Sequence, residues 1–122
     1  MKEALIDQTV SVAIHETPIP TPQANQVLIR VVVSGSNPKD WKLPKIGYAK
    51  GPSNQGDDIA GYVESVGPKV TAFKKGDKVA AFHEINTQHG SYAEYAIAWD
   101  HTTFHVPEGT SFEGMYLDKL VP

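Results

Sequence analysis

No cysteine occurs in the chain, which removes a disulfide framework, a thiolate zinc site and a cysteine nucleophile together. Long apolar runs are missing too. Uncharged apolar stretches end within about five residues, far short of the roughly 20 that span a bilayer. Basic charge is not in excess: 11 Lys+Arg face 14 Asp+Glu, for a formal net charge of -3. A broad nucleic-acid surface needs a basic stripe and is therefore not expected. An N-terminal signal segment is not expected either, since Lys2, Glu3 and Asp7 interrupt any apolar h-region. What is present, 40% hydrophobic residues over 122 positions, suffices for one core in one small cytoplasmic domain.

The pattern is mainly β, punctuated by Gly and Pro. Lys2 to Asp7 and Ser11 to Glu16 read as a hairpin across Gln8-Thr9. The alternating prolines of Thr17 to Pro22 (TPIPTP) favour an extended connector. Gln26 to Ser34 (QVLIRVVVS) is the strongest strand, and its near-continuous apolar run predicts burial on both faces. Lys39 to Leu43 reads as one helical turn stopped by Pro44, and Lys45 to Gln55 as an exposed loop. Strands follow at Ile59 to Val66, Val79 to Phe82, Ser91 to Trp99 and Thr102 to Val106, with a tight turn at Gly76-Asp77. Gly61 and Gly67 read as places of close backbone approach. At strand spacing Tyr92 and Tyr95 face opposite sides, which sends one of them into the core. Seven short strands without a long amphipathic helix predict a partly open β-barrel or a sandwich.

Several chemistries fail on spacing. No two glycines are separated by a single residue, so the G-x-G-x-x-G dinucleotide fingerprint is absent. Gly56 and Gly61 have the outer spacing of a P-loop, but Tyr62-Val63 stands where Lys-Ser/Thr is required. His101 and His105 would share a helix face, yet Thr102-Thr103-Phe104 between them favours a strand, in which four residues span roughly 13 Å. No metal is expected there.

Five ordered motifs carry the positive signal. They are the proline-rich TPIPTP tract, GSNPKDW at Gly35 to Trp41 and QGDDIAGYVESVG at Gln55 to Gly67. FKKGDKVAAF at Phe73 to Phe82 and HGSYAEYAI at His89 to Ile97 complete them. In this order the chain resembles the N-terminal, GroES-like domain of the medium-chain dehydrogenase/reductase superfamily. The likeness is strongest to the zinc-independent branch, the fungal trans-acting enoyl reductases and quinone-reductase-like proteins. It covers about residues 1–113, with a divergent tail at 114–122.

That resemblance implies a GroES-like barrel with short helical turns. It also implies NADPH, bound mainly by a separate Rossmann domain, with Asn37, Lys39, Asp40, Trp41 and Lys42 lining the cofactor end of the cleft. Lys42 is the candidate catalytic group, a cation that could stabilise an enolate or relay a proton. Read without the resemblance, Asn37 and Asp40 cap a turn, Trp41 fills a core edge and Lys42 is solvated. Zinc-dependent relatives carry Cys at the position of Asn37 and Gly-His-Glu at Gly56-Asp57-Asp58, so a catalytic zinc is not expected. No Rossmann domain follows in this sequence, and hydride transfer needs a bound nicotinamide. The chain alone is therefore expected to be incompetent for that reaction. The alternative is a cofactor-independent enzyme or a binding module on the same scaffold. A small apolar carbonyl or polyketide-like ligand is implied. The apolar residues Phe112, Met115, Tyr116, Leu117, Leu120 and Val121 point to a homo-oligomer, with a two-fold dimer as the default.

Overall fold

The computed structural model describes residues 1–48 and 51–112. Two sheets make up the strand content. The first is a two-stranded hairpin, β1 (Lys2–Ile6) with β2 (Val12–Glu16), paired antiparallel with Lys2 opposite Glu16 and Ile6 opposite Val12. The Asp7 carboxylate builds the connecting turn by accepting the N–H groups of Thr9 and Ser11 at 2.9 and 3.1 Å. The hairpin predicted from the pattern is present.

The second sheet has five strands: β3 (Gln26–Gly35), β4 (Asp58–Val66), β5 (Lys78–Phe82), β6 (Tyr95–Trp99) and β7 (Thr103–His105). Their spatial order is β6-β3-β4-β5-β7, antiparallel throughout. The sheet curls into a half-barrel. Bonds between the ends of β5 and β6 hold the curl, with His83 Nδ1 at 2.6 Å from the Ile97 carbonyl and Thr102 Oγ1 donating to the Phe82 carbonyl at 2.8 Å. The concave face is filled by Val27, Ile29, Ile59, Val63, Val79, Ala81, Ala96 and Ala98. A smaller cluster of Ala60, Ala80, Val106 and Phe112 covers the other face, where Phe112 meets Tyr62 edge-on. Mainly β, partly open and with short helical turns, this is the fold the motifs imply.

Four local expectations need correction. In β3 only Val27, Leu28 and Ile29 are buried together. After Arg30 the strand alternates, and the register shift between Val31 and Val33 leaves Val32 largely exposed. The bulge turns the second half of the strand out of the double-sided core. The strand expected from Ser91 starts only at Tyr95, because Ser91 to Glu94 bond sideways to other segments instead of along a ladder. Pro44 does not stop the helix: α1 runs Lys39–Lys45 with the Pro44 ring fully buried inside it. A proline loses only its own N–H bond in a last turn, and burial of its ring offsets that. Finally, Lys45 to Gln55 is not uniformly exposed. Ser53 bridges to Ile6, and Asn54 and Gln55 are buried.

The expectations for the glycines and the Gly76 turn hold. A Cβ at Gly61 would strike the Arg30 carbonyl, and one at Gly67 would strike the carbonyls of Gln23 and Ala24. Gly76 has φ +94° in a turn that Asp77 closes by accepting the Lys74 N–H at 3.0 Å. The expected core tyrosine is a fifth correction: neither Tyr92 nor Tyr95 lies in the core, and both are half-buried. His101 sits in a 3-10 turn (Asp100–Thr102) and His105 on β7, so they do not share a face. Among the described residues no helix is long and apolar enough to cross a membrane. Met115, Tyr116, Leu117, Leu120 and Val121, on which the oligomer expectation rests, lie outside the described residues.

Candidate functional site

The start of α1 makes one side of a cleft. Asp40 fixes that start, because its carboxylate reaches back to accept the Asn37 N–H at 3.1 Å while the Asp40 N–H donates to the Asn37 carbonyl at 3.0 Å. This reciprocal pair places Asn37, Asp40 and Trp41 on one wall. The hairpin supplies Ile6 and Val12 opposite, and Ser53, Gln55 and Tyr92 form the floor of a cleft of about 420 Å³. Its surface is mostly apolar, with a few converging polar groups, as small-molecule sites are.

Behind the floor runs a polar seam that the sequence reading did not find. Asn54 uses its whole amide there. Nδ2 donates to the Gly90 carbonyl at 2.9 Å and to Glu3 at 3.1 Å, while Oδ1 accepts the N–H groups of Gly56 and Tyr92 at 3.2 and 3.1 Å. Ser34 and Ser91 share a hydroxyl hydrogen bond of 2.6 Å. Asn37 Nδ2 donates to Asp58 at 2.9 Å. The Tyr92 hydroxyl donates to Asp40. One asparagine thus stitches its own segment to two others that lie 36 to 51 residues away in sequence.

Lys39 is the centre of the charges. Its ammonium meets Asp40 Oδ1 at 2.9 Å, the Gln55 carbonyl at 2.8 Å and the Asp57 carboxylate. Burial draws the Lys39 pKa down, but the hydrogen bonds and charges of Asp57 and Asp40 outweigh it and hold the value above the ordinary one. Burial pushes the Asp57 carboxyl up, against the pull of the Lys39 ammonium. Burial, and then the hydrogen bond and charge of Asp40, push the Tyr92 phenol up. At neutral pH Lys39 is therefore cationic and Tyr92 a neutral donor.

The five residues expected at the site separate into two groups. Asn37, Asp40 and Trp41 line the cleft. Lys39 lies behind it, with each of its three donors committed to a protein oxygen. Lys42 is exposed on α1 and does not line the cleft; its Nζ lies 5.5 Å from the centre of the Trp41 ring. Asn54, Gln55, Asp57 and Tyr92 were not singled out as site residues. The adjacent pair Asp57-Asp58 and the motif containing Tyr92 were the available signals, whereas nothing in the sequence marked Asn54.

A family match fits this geometry. Residues 23–108 match the model of the alcohol dehydrogenase GroES-like domain. The chain belongs to that family. It is 48% identical over 113 residues to the trans-enoyl reductase fsr4 of Gibberella fujikuroi, covering 93% of this chain and 33% of that protein. It is 43% identical to a quinone oxidoreductase of Mus musculus, covering 77% of the chain and 28% of the relative. Among solved structures, a mycobacterial protein in complex with NADPH superposes with a TM-score of 0.78 at 26% identity, over 93% of this chain and 34% of that one. The GroES-like domain thus places this chain in the medium-chain dehydrogenase/reductase superfamily, among enoyl- and quinone-reductase-type relatives. It spans about a third of the length of those curated relatives.

Two groups implied by such relatives can be tested against the residues. The Trp41 indole, Ile6 and Val12 offer flat apolar walls, and Asn37, Ser53 and Gln55 offer polar groups. Such a cleft fits one planar ring carrying an amide or a carbonyl. Among the described residues no Gly-rich turn opens a helix to cradle phosphates. A metal does not fit the same way. The oxygens that would ligate it, on Asp40, Asp57 and Gln55, converge on the Lys39 ammonium, and a dication there would meet a like charge at contact distance.

Proposed function

We propose that this chain is the GroES-like domain of a zinc-independent, NADPH-dependent oxidoreductase that reduces an activated C=C bond or a quinone, and that it forms one wall of the reaction cleft. The observation that carries this reading is the cleft itself, an apolar slot walled by Trp41 whose polar floor is locked by the Asn37–Asp40–Tyr92 contacts. Its neighbours in family space, a trans-enoyl reductase and a quinone oxidoreductase, support the reaction class.

NADPH, when bound, supplies the hydride, since no side chain can. The chain's own residues orient and shield. Asn37, Asp40 and Trp41, which line the cleft, would hold the nicotinamide end of the cofactor. Trp41, Ile6 and Val12 give the slot its apolar walls, which would exclude water once a partner domain covers them. Lys42 is the catalytic cation, because its ammonium, unlike that of Lys39, is in no ion pair among the described residues. Its ammonium would stabilise negative charge developing on the oxygen of a conjugated substrate, or relay a proton. The substrate is a small apolar conjugated carbonyl or a polyketide-like acyl group. The protein works in the cytoplasm. The exposed apolar side chains Ile14 and Ile46 favour a homodimer, which light scattering would detect.

The test joins this chain to the cofactor domain of a trans-enoyl reductase relative and follows NADPH oxidation with an α,β-unsaturated thioester and with a quinone. The joined protein is expected to turn over at least one of them. Lys42→Ala is expected to lower kcat by about tenfold or more without changing the unfolding midpoint. A folded joined protein inert toward both substrates would reject the reading.

A further inference from the structure

Asp40, Asp57 and the Gln55 carbonyl form an oxygen cage of the kind that hard cations seek, and the cage is already full. We propose that the Lys39 ammonium is the resident cation of this domain, an internal substitute for a metal, and that it acts by charge to hold Asp40 where Asp40 fixes both the α1 start and the Tyr92 hydroxyl. The geometry is specific. An ammonium has three N–H donors, and Lys39 directs them at Asp40 Oδ1 (2.9 Å), the Gln55 carbonyl (2.8 Å) and the Asp57 carboxylate. No donor is left for a ligand, so Lys39 is a positioning residue and not a catalytic one.

The arrangement around the cage fits this role. The Lys39 side chain is 24% exposed and those of Asp40 and Asp57 are each 10% exposed. Two carboxylates at that depth repel each other unless a cation lies between them. Asp40 has two oxygens with two tasks. Oδ1 takes the ammonium, while Oδ2 accepts the Asn37 N–H and the Tyr92 hydroxyl. Remove the cation and Asp40 is pushed from Asp57, which carries the Asn37 turn and Tyr92 with it. Asp58, the remaining carboxylate, is occupied by the Asn37 side chain. The inference does not depend on the reductase reading, since it concerns the chain alone and needs no cofactor or substrate.

Thermal unfolding of the purified chain tests it, with methylammonium chloride as the added cation and sodium chloride as the ionic-strength control. Lys39→Ala is expected to lower the midpoint by on the order of 10 °C. Methylammonium at ~50 mM should restore about half or more of that loss in Lys39→Ala while leaving the wild type unmoved. Calcium chloride should likewise raise Lys39→Ala and not the wild type. A second comparison covers a Lys39→Ala chain that fails to fold: Lys39→Met combined with Asp57→Asn removes one charge of each sign, and it should be more stable than Lys39→Met alone. A Lys39→Met chain as stable as the wild type would overturn the proposal. So would a loss that neither Asp57→Asn nor methylammonium repairs, because the side chain would then act by packing.

Discussion

The curled sheet and the polar seam beside it are held together by different physics. In the sheet, Val27, Ile29, Ile59 and Val79 are fully buried and interchangeable in chemistry; what matters is their volume and their alternation along neighbouring strands. In the seam, Asn54, Lys39, Asp40 and Tyr92 each hold a particular partner, and few other side chains could make the same bonds. The difference teaches where tolerance lies. The barrel should accept volume-conserving swaps, and the wall of the cleft should not.

Truncation of the sheet core should show the largest effect. Ile29→Ala is expected to cost about 2–5 kcal/mol by urea unfolding, through lost burial plus a cavity, whereas Ile29→Val should cost about 1 kcal/mol. In the seam the order of tolerance reverses. Asn54→Asp, nearly isosteric, should cost about 2–3 kcal/mol in the same experiment. It keeps the acceptor for Gly56 and Tyr92 but loses both donors, and it places a second carboxylate beside Glu3. If Asn54→Asp proved milder than Ile29→Val, the contrast between the two regions would fail.

Alkali should separate the regions further. Folded Tyr92 and Lys39 keep their protons above their ordinary pKa values. Their contribution to stability is thus complete below about pH 10 and is lost as pH rises toward the folded values. The buried core of the sheet, Val27, Ile29, Ile59 and Val79, carries no ionisable side chain. The unfolding midpoint should therefore fall above pH 10, and Tyr92→Phe should flatten that fall while costing about 1–2 kcal/mol at pH 7. Equal slopes for the wild type and Tyr92→Phe would contradict the placement of the phenol. The smallest expected effect is Trp41→Ala. The ring is 45% exposed, so its loss should shift stability by less than about 1 kcal/mol while weakening any ligand of the cleft.

How far the sequence disclosed these two regions follows from the same contrast. The sheet was legible because β-branched runs and Gly-Pro punctuation act locally: the hairpin, β4, β5 and the Gly76 turn all stand where the pattern puts them. The limits of β3 and β6 were not legible. A bulge at Val31–Val33 and the sideways bonds of Ser91 to Glu94 depend on partners far along the chain. At the site the GSNPKDW motif located Asn37, Asp40 and Trp41. Lys39 was grouped with them, and only the fold shows its ammonium turned inward onto Asp57. By sequence Asn54 belongs to an exposed loop, because an asparagine between Pro52 and Gly56 has the composition of a loop. Its burial comes from residues 3, 90 and 92, and no local pattern records that.

The central proposal is that this domain lines the nicotinamide end of the reaction cleft and binds the dinucleotide tightly only together with a cofactor domain. Calorimetric titration of NADPH, into the chain alone and into the chain joined to a relative's cofactor domain, measures that directly. The account predicts a dissociation constant above about 1 mM for the chain alone, that is, less than about 4 kcal/mol of binding free energy, and micromolar binding for the joined protein. Saturable micromolar binding to the chain alone would contradict it.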